Sequence, residues 1–226
     1  MAAPLLPGWD NAYRIINSAF PPIDIFEDTL DPEDLEVAFL IEAMTNDRLR
    51  DQAGSLQRVA PADRVSGPGS TAVMAAFTHI GRPSRFTDGS YGVYYCASSL
   101  EAAIAETRYH QEAFWRATCE DSIEVTMRSY INQVVKPMHD VRRRAALHDP
   151  SPATYGRCQQ LARDLRQTGA WGLLYRSVRS PGAECVAALR PPAVSLPVQG
   201  AHFRYRWDGK AQRFLHVLEV HLYTSQ

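Results

Sequence analysis

Residues 84–110 read SRFTDGSYGVYYCASSLEAAIAETRYH, and the rest of the chain is best understood outward from this stretch. It opens on the loop Arg85-Phe86-Thr87-Asp88-Gly89-Ser90-Tyr91-Gly92, whose aspartate and two glycines are turn formers that let backbone approach a ligand closely. Val93-Tyr94-Tyr95-Cys96-Ala97 is short, apolar and aromatic, the composition of a buried strand. Ser98-Ser99-Leu100-Glu101 then has the serine-to-glutamate spacing of a capping box, which starts a helix. That helix is predicted from about Ser99 to Thr118, with Leu100, Ala103, Ile104, Phe114 and Trp115 able to face a core. Glu106 and His110 lie four residues apart and therefore share one helical face. A solvated pair at that spacing is ordinary. What raises its interest is that Arg85, Tyr95 and Glu106 sit on one tight loop, strand and helix.

Upstream, residues 1–30 carry Pro4, Pro7, Pro21 and Pro22, which predicts an irregular wrapping arm. Asp31-Pro32-Glu33-Asp34 combines a capping aspartate, a first-turn proline and acids favoured by the helix dipole. The helix it starts is expected to brace the fold through Leu35, Ala38, Phe39 and Ile41, and to break at Thr45-Asn46-Asp47. The expected division is thus an N-terminal extension, 1–54, and a main domain, 55–226. Gly67-Pro68-Gly69-Ser70 is a turn into a short helix over 71–77, near enough to Arg58 and Arg85 to wall a nucleotide pocket, although a plain connection serves equally well.

Downstream, residues 122–135 alternate as one or two half-buried strands do. Arg142-Arg143-Arg144 reads as a solvated helix face. Ser151-Pro152 opens a helix through Leu161 and Leu165 that Gly169 stops, and strands follow at 171–175 and 184–189. Phe203 to Trp207 and Phe214 to Val220 flank Asp208-Gly209 as an antiparallel hairpin. This order of elements predicts an α+β domain.

With 226 residues the chain can bury a substantial core. A formal net charge of -1 and a pI near 6.7 argue against a general nucleic-acid binder. No apolar run is long enough for a membrane span, and the first seven residues are too short for a signal peptide, so a cytoplasmic location is expected. Cys96, Cys119, Cys158 and Cys185 are irregularly spaced and read as reduced thiols. His202, His216 and His221 lack acidic or cysteine companions at metal-site spacing, and no metal is expected.

Arg85-Phe86 followed by Gly89, then Tyr95, Ala97, Ser99-Leu100, Ala103, Glu106 and His110, resembles the core signature of the RES domain, named for an arginine, a glutamate and a serine. Leu56-Gln57-Arg58-Val59-Ala60-Pro61 is similar to the early arginine strand of that family. Trp171 to Arg179, continuing to Gly182 and Cys185-Val186-Ala187, is similar to its late strand bearing the serine, here Ser177. The resemblance covers about Ser55 to Leu189, and the run Tyr13-Arg14-Ile15-Ile16 to Pro22 is also similar to longer members. It implies an ADP-ribosyltransferase-like mixed sheet with flanking helices, and NAD as a substrate that is consumed. It further implies a bacterial toxin whose partner is a DNA-binding Xre-type antitoxin covering the active-site cleft. Oligomeric state stays open, a homodimer included.

Cleaving the bond between nicotinamide and ribose generates an oxocarbenium-like centre, which a nearby carboxylate stabilises. Glu106 is the candidate. A diphosphate calls for guanidinium groups, for which Arg58 and Arg85 are the candidates, with Phe86 and Gly89 on the same binding loop. Tyr95 would stack nicotinamide or orient it, and Ser177 would offer a hydroxyl to the ribose or phosphate. Each has a structural alternative: Arg58 paired to a surface acid, Tyr95 in the core, Ser177 bonded to a turn, His110 simply packed. The acceptor of ADP-ribose (water, phosphate or a protein side chain) is left open. So is a non-catalytic nucleotide-binding module.

Overall fold

The computed structural model describes residues 3–20, 22–29, 31–43 and 54–221. The elements in order are β1 (Ala12–Asn17), α1 (Asp24–Asp28), α2 (Leu35–Ala43), α3 (Ser70–Thr78), β2 (Tyr94–Ala97), α4 (Leu100–Trp115), β3 (Ser122–Asn132), β4 (His139–Asp140), α5 (Tyr155–Gln167), β5 (Gly172–Arg176), β6 (Glu184–Ala188), β7 (Val198–Asp208) and β8 (Arg213–Val220). The eight strands form one sheet in the order β4-β5-β6-β2-β1-β3-β7-β8, antiparallel except for the parallel pair β4–β5. This is an α+β architecture with a mixed sheet, as expected. Among the described residues no helix is long and apolar enough to cross a membrane.

Side chains alternate across a strand, and here both faces are covered. Tyr95, Ala97, Ala187, Leu173 and Tyr175 pack on one face with α4 and α5, while Tyr94, Cys96, Val186 and Leu174 pack on the other with α1, α2 and α3. Burial on both sides explains why β2, β5 and β6 read as continuous apolar runs. At the far end β7 and β8 are covered on one side only. Phe203, Tyr205, Trp207 and Phe214 point inward, and Arg204 and Arg206 outward.

Three expectations need correction. Residues 12–17 are not part of a wrapping arm: β1 lies inside the sheet, paired with β3 along its whole length from Ala12–Asn132 to Asn17–Met127. The division at residue 54 therefore cuts through the sheet. Its local sequence hid this, because the partner that makes it a strand lies far along the chain. Arg58 stands on a short 3₁₀ turn (Leu56–Arg58), not a strand. Arg142 belongs to a turn, where it forks onto Asp140 (2.9 and 2.7 Å) and reaches Glu184 at 2.5 Å. The expected packing of Ile41 and the helix break at Thr45-Asn46-Asp47 lie outside what is described.

The Gly67–Ser70 turn is taken up structurally. The Glu27 carboxylate of α1 accepts the Gly69 N–H and, at 2.8 Å, the Thr71 N–H, while the Ser70 hydroxyl donates to the Phe26 carbonyl at 2.6 Å. The start of α3 thus already holds an anion, so it is no wall for a phosphate.

Candidate active site

The helix bearing Glu106 is fixed at its start, side and end. Ser99, in extended conformation, accepts the Ala102 N–H on its hydroxyl at 3.2 Å. The cap is therefore one residue later than the Ser98–Glu101 spacing suggested, and Ser98 instead accepts the Glu184 N–H at 3.1 Å. Thr107 shares a hydrogen bond with the Tyr205 hydroxyl (2.9 Å), which sets the helix's rotation. Near the end, Glu112 binds Arg108 and Arg116, each at 3.0 Å, and accepts the Phe214 N–H at 3.0 Å, tying the last turns to β8. An amphipathic helix so held presents Glu106 in a defined direction.

On the neighbouring element, β5 ends at Arg176 and the next residue, Ser177, is buried. Its hydroxyl accepts the backbone N–H groups of Arg179 (3.1 Å) and Ser180 (2.9 Å) and donates to Glu106 Oε1 at 2.6 Å. With both acceptor directions filled by backbone, the proton has one place to go. Glu106 and Ser177, 71 residues apart, are directly joined.

Glu106 opens on a hollow of about 220 Å³. The hollow sits where the sheet parts: β1 and β2 share the single register pair Tyr13–Ala97, and Tyr13, Arg14, Tyr95 and Ala97 all line it. Tyr155 of α5 and Tyr175 of β5 add aromatic wall, and Ser84, Arg85, Thr107 and His110 add to the polar lining. Among the described residues lining it, Glu106 is the one carboxylate. Burial pushes the Tyr95 and Tyr175 hydroxyls and the Cys185 thiol well above their ordinary values, so these groups stay neutral. The charges in play are Glu106, Arg14 and Arg85. His110 stands at the mouth, its outer edge in solvent and its ring among the groups that line the hollow. Partial burial lowers its pKa, Glu106 pulls it back up, and Arg179 and Arg85 push it down.

Arg14 was not singled out by the sequence reading. Its Nη1 donates to the Tyr95 carbonyl at 3.0 Å, and its guanidinium lies over the Tyr94 ring, 4.5 Å from the centroid. Its Nε is buried with no partner among the described residues, and desolvation lowers its pKa. The available signal was an arginine in the middle of the otherwise apolar run Ala12-Tyr13-Arg14-Ile15-Ile16. Arg85 lines the same hollow but is anchored: Nη1 donates to the carbonyls of Leu147 (2.9 Å) and Asp149 (3.1 Å), and the group stacks on Tyr155 at 4.6 Å.

The remaining candidates divide. Tyr95 presents its ring to the hollow, while its hydroxyl holds the binding loop by bonding Ser84 Oγ (2.7 Å) and accepting the Phe86 N–H (3.0 Å). Phe86 is fully buried in an edge-on contact with Tyr175, centroids 4.9 Å apart, which places it in the core behind the site and not against a ligand. Gly89 has φ +95°, and an added Cβ would lie 3.0 Å from the Gly81 backbone. The close approach it permits is between two loop segments. Arg58 does not share the hollow with Glu106. It lines a separate one with Asp63, Arg166 and Arg190, because its 3₁₀ turn packs beside α3. The expectation that Arg58 and Glu106 act on one ligand is corrected accordingly.

A carboxylate, two arginines and aromatic walls thus meet in one hollow where the two-faced α+β sheet parts, which makes it the candidate site for a small molecule. The family model for the RES domain matches residues 58–208, and the chain belongs to that family. The sheet extends beyond the matched segment at both ends, through β1 and β8. The chain is also 28% identical over 211 residues to the uncharacterized protein y4oC of Sinorhizobium fredii (strain NBRC 101917 / NGR234), covering 93% of this chain and 88% of that protein.

Proposed function

We propose that this protein consumes NAD by breaking the bond between nicotinamide and ribose. The observation that carries the reading is the Ser177–Glu106 bond at the rim of an aromatic-walled hollow that also holds Arg14 and Arg85. In that bond cleavage nicotinamide leaves as a neutral molecule with the bonding electron pair, and positive charge develops on the ribose. A carboxylate fixed by Ser177 is oriented before the charge appears, the condition under which electrostatic stabilisation is strongest. The hollow is smaller than typical ligand pockets of roughly 300–1,000 Å³, so it suits the nicotinamide–ribose end, stacked against Tyr95 or Tyr175. Arg14 and Arg85 are the cations available to the diphosphate.

ADP-ribose then passes to water or phosphate, or to a protein side chain. An ADP-ribosyltransferase-like fold and the role of a toxin held in check by an Xre-type antitoxin in the bacterial cytoplasm belong to the same reading, supported by membership of the RES family. The test is incubation of purified protein with labelled NAD, with and without phosphate and with cell lysate, separating ADP-ribose, ADP-ribose-1-phosphate and labelled protein. Glu106→Gln should fold normally and turn over NAD roughly two orders of magnitude or more slowly. Undiminished NAD loss in that variant removes Glu106 from the mechanism.

A further inference from the structure

The larger hollow, about 440 Å³, is the one that Arg58 lines, and nothing in the chemistry at Glu106 uses it. Its walls come from the Leu56–Arg58 turn, the end of α3, the Ser90–Gly92 segment, the end of α5 and the residues after β6. Three guanidinium groups and one carboxylate line it. Arg190 and Asp63 satisfy each other, with Nε–Oδ2 at 2.8 Å and Nη2–Oδ1 at 2.5 Å, and Arg190 stacks on Trp171 at 3.9 Å. Arg166 rests over the Tyr91 ring at 5.1 Å. Among the described residues neither Arg166 nor Arg58 forms an ion pair, so the lining carries two uncompensated positive charges.

Arg166 has a structural duty, since a cation in the last turn offsets the helix dipole of α5. Arg58 comes from a different element, projects from an exposed position and has no such duty. Walls of low dielectric focus the field of such a pair and raise the local concentration of anions. Guanidinium groups suit phosphate oxygens in particular.

We infer that this second hollow binds a phosphorylated small molecule, up to a mononucleotide in size, gripped by Arg58 and Arg166 over the pre-set Arg190–Asp63 pair. The site is separate from the one bearing Glu106, but one loop walls both. Ser84 and Arg85 face the smaller hollow and Ser90, Tyr91 and Gly92 the larger, and the Tyr91 hydroxyl donates to the Phe86 carbonyl at 2.7 Å between them.

The test is calorimetric titration of the full-length protein with pyrophosphate and with AMP, in low salt, using wild type, Arg58→Ala, Arg166→Ala and Glu106→Gln. At least one probe should bind wild type at a site that depends on Arg58 and Arg166, whether or not a second equivalent is taken up beside Arg14 and Arg85. Affinity should fall about tenfold or more in each arginine variant, the loss of one charge-assisted contact, and stay unchanged in Glu106→Gln. Both arginines are exposed, so Arg58→Ala should melt like wild type and Arg166→Ala, which also gives up its place at the end of α5, only slightly below it. Absence of heat with either probe at millimolar concentration, or equal affinity in the arginine variants, overturns the assignment. Neither probe contains a nicotinamide–ribose bond, so a failure of the NAD reading leaves this result standing.

Discussion

Replacing Ser177 by alanine removes one oxygen and with it three contacts: the donation to Glu106 at 2.6 Å and the acceptance of two loop N–H groups at 3.1 and 2.9 Å. A hydrogen bond to an ionised acceptor is worth about 1.5–3 kcal/mol. If it orients the carboxylate through the transition state, its loss slows NAD cleavage by about tenfold to a hundredfold. The orphaned N–H groups should lower stability by about 1–2 kcal/mol, readable in urea unfolding. Rates are then measured for Ser177→Ala, Glu106→Gln and the double variant. Because Ser177 acts through Glu106, the double variant should be hardly slower than Glu106→Gln alone. Wild-type kcat/KM in Ser177→Ala, or two effects that simply multiply, would refute a positioning role for the serine.

A fragment starting at residue 55 lacks β1 and leaves one edge each of β2 and β3 unpaired; it should fail to give a dispersed NMR spectrum, and a folded, monomeric fragment would contradict the placement of β1. Gly92→Ala sets a Cβ 2.2 Å from the Ala76 carbonyl oxygen and 2.4 Å from Phe77 Cα, and the backbone shift it forces should cost about 1–3 kcal/mol or more in denaturant unfolding. Phe86→Ala empties a fully buried site against Tyr175 and should cost about 3–5 kcal/mol by the same measurement. His148 accepts the Arg176 N–H on Nε2 at 3.0 Å, and burial lowers its pKa from 6.5. Its neutral form is the folded one, so its stabilising effect is full above about pH 6.5 and is lost as pH falls through the folded value. Wild type should therefore lose more stability than His148→Gln between neutral and mildly acidic pH, and parallel pH profiles would exclude that role.

What could be read from the sequence was local. The run from Tyr94 to Glu106 announced itself through composition, capping and periodicity, and the C-terminal hairpin through alternation around a turn. Even there the cap moved from Ser98 to Ser99, because Ser98 is drawn to Glu184 across the sheet. The Glu106–Ser177 contact was not legible: the family resemblance put both residues at one site but aimed the serine hydroxyl at the ligand, and no local rule joins residues so far apart. β1 was lost because six residues between prolines have no strand signal stronger than their distant partner supplies. Phe86 and Gly89 stand in the loop expected to bind the ligand. They hold its underside, though, and a loop's sequence does not say which of its residues face inward.

The register that pairs Ala12 with Asn132 has a consequence for biosynthesis. The strand at the seam leaves the ribosome well before the segment it must lie against, which follows 110 to 120 residues later, and Ser177 comes later still. Until then the seam beside the hollow stays open, so the cleft closes only once β3 and Ser177 have both been made.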